Sequence, residues 1–449
     1  MSLHTLEQLQ NGQLGGATHL KLACGLTELP RAVFTLADTL EVLDLSGNQL
    51  TSLPDDLPRL HKLRVVFASN NHFTTLPAVL GQCKALTMIG FKANAISIVP
   101  ATALPPLLRW LVLTDNQIEQ LPASIGRCHQ LEKLMLAGNR LRSLPQELAQ
   151  CQQLALLRVS ANRLGALPSW LLQMPRLAWL AFAAQGEGLG CEEAASSSQA
   201  NQPDDIAWTR LQLGDILGEG ASGSIYSADL DAGTPAATAV AVKLFKGAMT
   251  SDGLPESEMA AALQAGHHPN LITALGRLSG HPDQRRGVVM PRIASHFEPL
   301  AAPPSMSSCS RDVYADDATF TFRQGMAIGR SMASALQHLH CRGVMHGDVY
   351  AHNILICGEQ ALLGDFGAAS FVPADDLPSA QALERIEVRA LGYLLQELLA
   401  RCQASGEPHH LLGTAPTNLC RACLHEGPAS RPGFNAITLA LNAMHDVQR

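Results

Sequence analysis

Asparagine returns at positions 48, 71, 94, 116, 139 and 162, at intervals of 23, 23, 22, 23 and 23 residues. Gln185 takes the same slot once more, and a copy one residue short, "LKLACGLTELP", opens the array. The clearest unit is "LEVLDLSGNQLTSLP", residues 40 to 54. Leucines keep phase with the asparagines throughout. A chain with this period folds as a stack of coils, because one unit cannot bury its apolar face alone and neighbouring units can. Each coil lays down a short strand whose leucines point into the shared core. The Asn turns inward, where an unpaired polar group would cost about 1–3 kcal/mol, so the slot calls for a side chain that both donates and accepts. Eleven residues before each Asn stand Ala37, Leu60, Cys83, Pro105, Cys128 and Cys151. Their shared phase makes these cysteines core packing.

The eight units resemble leucine-rich repeats. Side chains alternate along a strand, so the residues between the leucines are expected on the outer, concave face. They include Val42, Val65, Phe67, Met88, Trp110, Val112, Met135, Leu156 and Trp179. A strip this apolar predicts a surface for a protein substrate or regulator, with Trp110, Trp179, Phe67 and Met135 as anchors.

The expected organisation is a repeat domain over residues 1–185, a linker over 186–206 and a second domain over 207–449. The linker, "GEGLGCEEAASSSQANQPDD", is rich in Gly, Ser, Glu and Asn and lacks an apolar period. The 47% apolar content is too high for a disordered chain. A net charge of -7 with no basic block argues against a nucleic-acid partner. There is no apolar run of membrane-spanning length and no leader-like start, so a cytoplasmic protein is expected. Eleven cysteines form no extracellular framework, and the lone Cys420-x-x-Cys423 pair has no second pair to complete a zinc site. Buried thiols in a reducing compartment fit better.

The second half has a different grammar. In "LQLGDILGEGASGSIYSADL", alternating apolar residues lead into Gly218, Gly220 and Gly223, after which Ile225 resumes a strand. A strand rather than a helix after the glycines predicts a hairpin folded over phosphates, not a dinucleotide-binding unit. Lys243 ends the apolar strand "TAVAVKLFK" and needs a buried partner; Glu258 on the following predicted helix is the first choice and Glu256 the second. Farther on, "HGDVYAHN" places Asp348 five residues before Asn353, and "LLGDFGAAS" supplies Asp365. A carboxylate can orient an acceptor hydroxyl, and an Asn and an Asp offer hard oxygens to magnesium.

Glycine hairpin, strand Lys, helix Glu, Asp–Asn loop and Asp-Phe-Gly follow in the order of the eukaryotic-type protein kinases, and residues 208 to 445 resemble that family. "VVMPRI" is similar to its gatekeeper and hinge. "IEVRALGYLLQELL" resembles its Asp-Val-Trp-Ser-Leu-Gly helix with Glu387 in the Asp place, and Arg431 matches a structural Arg. The whole chain resembles a bacterial-type leucine-rich-repeat protein kinase: an α/β solenoid followed by an α+β two-lobed domain. The resemblance implies ATP and magnesium, catalytic roles for Asp348 and Lys243, and metal ligation by Asn353 and Asp365. It implies nucleotide contacts from Leu217, Gly218, Gly220, Gly223, Ile225, Lys243, Glu258, Met290, Ile293, Asn353 and Asp365. Serine or threonine rather than tyrosine is the implied acceptor.

Three departures stand out. Gly347 replaces an Arg that, in the family, pairs with a phosphate on the activation loop. Tyr350 stands where serine/threonine members usually carry Lys. Only 22 residues run from Asp365 to Glu387, with Ser370 and Ser379 the chief hydroxyls between them and no Ala-Pro-Glu. Two other readings share these residues: a small-molecule kinase of the aminoglycoside or choline kinase class, which also writes His-Gly-Asp, and a non-catalytic pseudokinase scaffold.

Overall fold

The computed structural model describes residues 3–185 and 205–446, apart from 221, 248, 251, 374 and 403–413. Most of the expected linker, residues 186–204, lies outside the described residues. The chain forms two compact units, Met1–Arg176 and Leu177–Arg449.

In the first unit a short capping helix, α1 (Leu6–Gln10), is fixed by a reciprocal Thr5–Gln8 capping box. Seven strands follow: β1 (His19–Lys21), β2 (Val42–Asp44), β3 (Val65–Phe67), β4 (Met88–Gly90), β5 (Trp110–Val112), β6 (Lys133–Met135) and β7 (Leu156–Arg158). Each pairs in parallel with the next, and register follows the repeat, with Val42 opposite Val65, Val65 opposite Met88 and Met88 opposite Trp110.

The asparagine ladder works as its chemistry requires. Asn116 Oδ1 accepts the Ile96 N–H at 2.9 Å, while its Nδ2 donates to Phe91 O and Leu113 O. Asn48, Asn71, Asn139 and Asn162 are likewise buried and bonded to neighbouring coils. The residue before each slot (Gly47, Asn70, Ala93, Asp115, Gly138, Ala161, Ala184) has positive φ. This turn feature aims the inward side chain and left no single residue type to read in the sequence. Cys83, Cys128 and Cys151 are buried free thiols, and burial pushes them up to about 11, 11 and 12.

The apolar strip is less open than expected. Val42, Val65, Met88, Leu156 and Met135 are all buried. Met135 stands in register between Val112 and Arg158. Phe67 and Trp110 are half-buried. The Phe67 ring reaches across side-chain-free Gly90 to meet Trp110 edge-on at 6.5 Å, and Lys133 Nζ sits 4.4 Å from the Trp110 ring centre.

The second unit begins nine residues earlier than the expected boundary at 185, with β8 (Trp179–Ala181). Trp179, expected as an outward anchor, is only 2% exposed. Its ring and N–H find partners far along the chain, described below. Gln185 is buried too and donates to Phe182 O at 2.9 Å.

The upper lobe is a six-stranded sheet. It is built from β9 (Ile206–Ala207), β10 (Leu211–Glu219), β11 (Gly223–Leu230), β12 (Thr238–Phe245), β13 (Gly276–Ser279) and β14 (Gly287–Pro291), in the order β10-β11-β12-β14-β13-β9. Its apolar face centres on Val240, Val242, Leu244 and Val289. Helix α2 (Pro255–Ala265) follows β12. The lower lobe is helical: α3 (Phe322–Cys341), α4 (Leu377–Arg401), α5 (Thr414–Cys423) and α6 (Phe434–Asp446). Thr321 Oγ1 caps α3 by accepting the Gln324 N–H. Small strand pairs carry the loops between the lobes. β15 (Glu298–Pro299) pairs with β17 (Ile354–Cys357), β17 with β18 (Gln360–Leu363), and β16 (Val344–Met345) with β19 (Ser370–Phe371). Cys420 and Cys423 are buried free thiols on α5, raised by burial to about 11 and 12.

Candidate active site

Strands β10 and β11 form the glycine hairpin, closed by a Gly220 N–H to Gly223 O bond of 2.9 Å. Gly223 is required there, because a Cβ would come 2.5 Å from Leu244 O. Lys246, which the sequence reading passed over, steadies the hairpin by bonding Glu219 and Gly220 O. Leu217 is half exposed, while Ile225, Met290 and Ile293 are partly buried. Ile225 lies opposite Lys243 in the β11–β12 register, and Met290 opposite Ala241 in β12–β14, so these side chains belong to adjoining strands.

Lys243 is buried and forms an ion pair with Glu258, which is also buried. Glu256, the second choice, pairs with Arg286 instead. Asp365 Oδ1 lies 4.0 Å from Lys243 Nζ. Burial opposes the Lys243 charge, but Glu258 and Asp365 outweigh it and hold the amine above its ordinary value. Burial and the Asp365 charge push Glu258 up to about 7 against the pull of Lys243. Asp365 itself is half exposed and takes a positive φ of 58°, a region Asp tolerates better than most residues.

The loop before β17 is held from many sides. Asn353 Nδ2 donates to Asp348 Oδ2 at 2.8 Å and to Asp348 O at 3.0 Å, which leaves the amide oxygen turned to other duty. His346 is fully buried; its Nε2 bonds Gly364 O at 3.0 Å and its Nδ1 accepts the Asp348 N–H. One imidazole therefore ties the Asp348 loop to the residue before Asp365. Glu387, at the centre of α4, accepts the His346 and Gly347 N–H groups at 3.3 and 2.6 Å and bonds His340 at 2.7 Å. Burial opposes its charge, but the His340 bond and the loop amides hold its pKa below the ordinary carboxylate value.

His352 and Asp312 were not singled out from sequence. Asp312 Oδ1 and Oδ2 take the His352 Nδ1 and N–H at 2.7 and 3.2 Å. Burial acts against the His352 charge, yet Asp312, helped by Asp348 and Asp365, raises its pKa. Only the position of His352 next to Asn353 could have flagged it. Arg431 is buried and bonds the carbonyls of His425 and Arg385, and burial lowers it to about 10. Glu384 accepts the Phe434 N–H at the start of α6. Residues 366–376 alone separate Asp365 from α4.

Lys243, on the strand next to the glycine hairpin, thus meets Glu258 and Asp365, while Asp348 and Asn353 share a loop that His346 ties to the strand end at Gly364. The donor set is hard oxygen, which suits magnesium held by one or two protein groups together with phosphate oxygens. Among the described residues no group of three His, Cys, Asp or Glu side chains stands ready to hold a metal by itself. No helix among them is long and apolar enough to cross a membrane.

Comparison with known proteins agrees with this geometry. Residues 211–392 match the protein tyrosine and serine/threonine kinase family, and residues 106–164 and 39–60 match leucine-rich repeat families. The chain is 26% identical over 290 residues to fibroblast growth factor receptor 1 of Xenopus laevis, covering 54% of this chain and 36% of the receptor. It is 24% identical over 273 residues to a probable LIM domain-containing serine/threonine-protein kinase of Dictyostelium discoideum, covering 52% of this chain and 39% of that protein. Over 189 residues it is 31% identical to an L-type lectin-domain containing receptor kinase of rice, covering 41% of this chain and 24% of the relative. The chain therefore spans well under half the length of each of these relatives. In its own architecture it carries leucine-rich repeats followed by a domain of the protein tyrosine and serine/threonine kinase family.

Proposed function

We propose that this chain is an ATP-dependent protein kinase that transfers a phosphoryl group to a protein hydroxyl, on Ser or Thr rather than Tyr. The observation that carries the reading is the closed Lys243–Glu258 pair with Asp365 4.0 Å from the same amine. A buried Lys so paired can position nucleotide phosphates rather than serve as a solvated surface charge. The hairpin glycines, with Leu217, Ile225, Met290 and Ile293, would enclose ATP. Asp365 and Asn353 would hold magnesium, which when bound neutralises charge on the phosphates. Asp348 would accept or orient the proton of the acceptor hydroxyl.

The repeats are proposed to bind the protein substrate or a regulator, with Phe67 and Trp110 as the partly exposed anchors of their strip. The relation to bacterial-type kinases rests on the sequence resemblance. Free buried thiols suit a reducing, cytoplasmic setting.

The test is turnover of ATP with magnesium, offering casein-like protein and an aminoglycoside as alternative acceptors. Transfer to protein that disappears in Asp365→Asn and in Lys243→Met supports the reading, while Asp348→Asn is expected to keep nucleotide binding. Transfer to the small molecule alone would favour the aminoglycoside kinase-like class. No turnover with intact nucleotide binding would favour a scaffold.

A further inference from the structure

The repeat pattern ends in sequence at β8, yet β8 packs within the second unit. Trp179 Nε1–H donates to the carbonyl of Val349 at 3.0 Å. Its ring stacks on Tyr350, with centroids 4.3 Å apart and planes 6° from parallel, and on Tyr393 at 5.4 Å and 13°. The next residue presents its carbonyl to the same loop: a Cβ added to Gly347 would lie 2.6 Å from Leu180 O. Two residues on, the Phe182 N–H donates to Ser370 Oγ at 2.9 Å. Three residues within four, Trp179, Leu180 and Phe182, therefore reach the loop on both sides of Asp348 and the segment after Asp365.

We propose that Trp179 is a positioning residue for phosphoryl transfer, through which β8 braces the loop bearing Asp348 and Asn353. Asp348 sits between Gly347 and Val349. Gly347 is bonded to Glu387 beneath it, and Val349 to Trp179. The contacts run on from Tyr350 to the His352 ring at 5.1 Å, and from His352 to Asp312. The brace coexists with an assembled cleft, because the Lys243–Glu258 pair and the Asn353–Asp348 bond are both formed. A strand that held the enzyme off would be expected to hold these groups apart. Ser370 is fully buried with its hydroxyl engaged by Phe182, the residue after β8, so in this arrangement it is a contact residue rather than a phosphate acceptor. The short segment after Asp365 thus gains from Phe182, the residue after β8, a support that requires no modification.

The proposal rests on the kinase reading and is tested on the full-length chain with ATP, magnesium and casein-like protein. Trp179→Ala is expected to lower kcat about tenfold or more while the KM for ATP moves less than about twofold, since small misplacement of a reacting group acts on the transition state. Trp179→Phe keeps an aromatic stack and deletes the N–H donor, so it should give an intermediate kcat. A residue that only stabilised the fold would lower the thermal midpoint and leave the kcat of the folded protein unchanged. Wild-type or raised kcat in Trp179→Ala overturns the proposal. If that variant fails to fold, Trp179→Phe decides: a reduced kcat supports the brace and an unchanged one overturns it. Should the wild type show no transfer that depends on Asp365, both readings fall; if it does and the Trp179 variants match it, this one alone falls.

Discussion

The Gly347 N–H donates to Glu387 Oε1 at 2.6 Å, so the loop that carries Asp348 hangs from a fully buried carboxylate at the centre of α4. The same side chain takes the His346 N–H and bonds His340. Glu387→Ala would orphan two loop amides and strip the partly buried His340 of its carboxylate partner. We expect a loss of about 2–4 kcal/mol, the range for leaving two buried amides unsatisfied, read as a lower denaturant midpoint of the second unit. Glu387→Gln keeps an acceptor and should lose less.

Gly347 has φ of +74°, and a Cβ there would meet Ala368 O and Leu180 O, each at 2.6 Å. Both obstacles are backbone, which cannot swing aside as a side chain can. Gly347→Arg, the substitution that would rebuild a His-Arg-Asp loop, is therefore expected to destabilise by roughly 2 kcal/mol or more and to lower turnover. Thermal melting beside a kinase assay checks it; an Arg variant as stable and active as the wild type would contradict the packing described.

Glu258 has its pKa raised by burial to about 7, well above the ordinary carboxylate. A carboxyl raised on folding takes up a proton, so its contribution to stability is full below its unfolded pKa and falls as pH rises through about 7. The Lys243 ion pair behaves oppositely, because only ionised Glu258 completes it. Turnover should therefore fall on acidification with an acid limb near pH 7, while folding stability from this group improves across the same window. Glu258→Gln should show low turnover without that limb. A pH–rate profile on wild type and variant, with melting curves in the same buffers, measures both.

Asn139 bonds the Ile118 N–H and the carbonyls of Leu113 and Leu136, at 2.9 to 3.0 Å. Asn139→Ala leaves three buried backbone groups without this partner. The expected loss is about 2–4 kcal/mol in the first unit, seen by chemical denaturation. Cys128→Ala, eleven residues earlier, removes a buried thiol whose one weak bond goes to Pro105 O and should cost less, about 1 kcal/mol.

The asparagine ladder and the buried cysteines were legible because a repeat states its physics many times over: each slot must satisfy the same geometry, so composition at that phase reveals burial and bonding. Lys243 and Glu258 were legible as partners for another reason. Their chemistry is local to short segments, and their order along the chain is distinctive. Glu258 and Glu256 are neighbours on one helical turn, and the fold gives Glu258 to Lys243 and Glu256 to Arg286.

Trp179 was misread because a strand position fixes only which way a side chain faces, not what lies there. Its partners Val349 and Tyr350 sit about 170 residues away, and no local pattern encodes that distance. The same holds for Gly347, which as sequence is only a missing Arg. Its positive φ and its crowding against Leu180 and Ala368 exist only when the chain is folded. By itself the sequence determined the solenoid, the kinase-like lobes and the pairing of Lys243 with Glu258, since periodicity and residue chemistry act over short range. Only the tertiary structure decided which surface residues are free and what holds the loop beside Asp348, because those depend on contacts between segments remote in sequence.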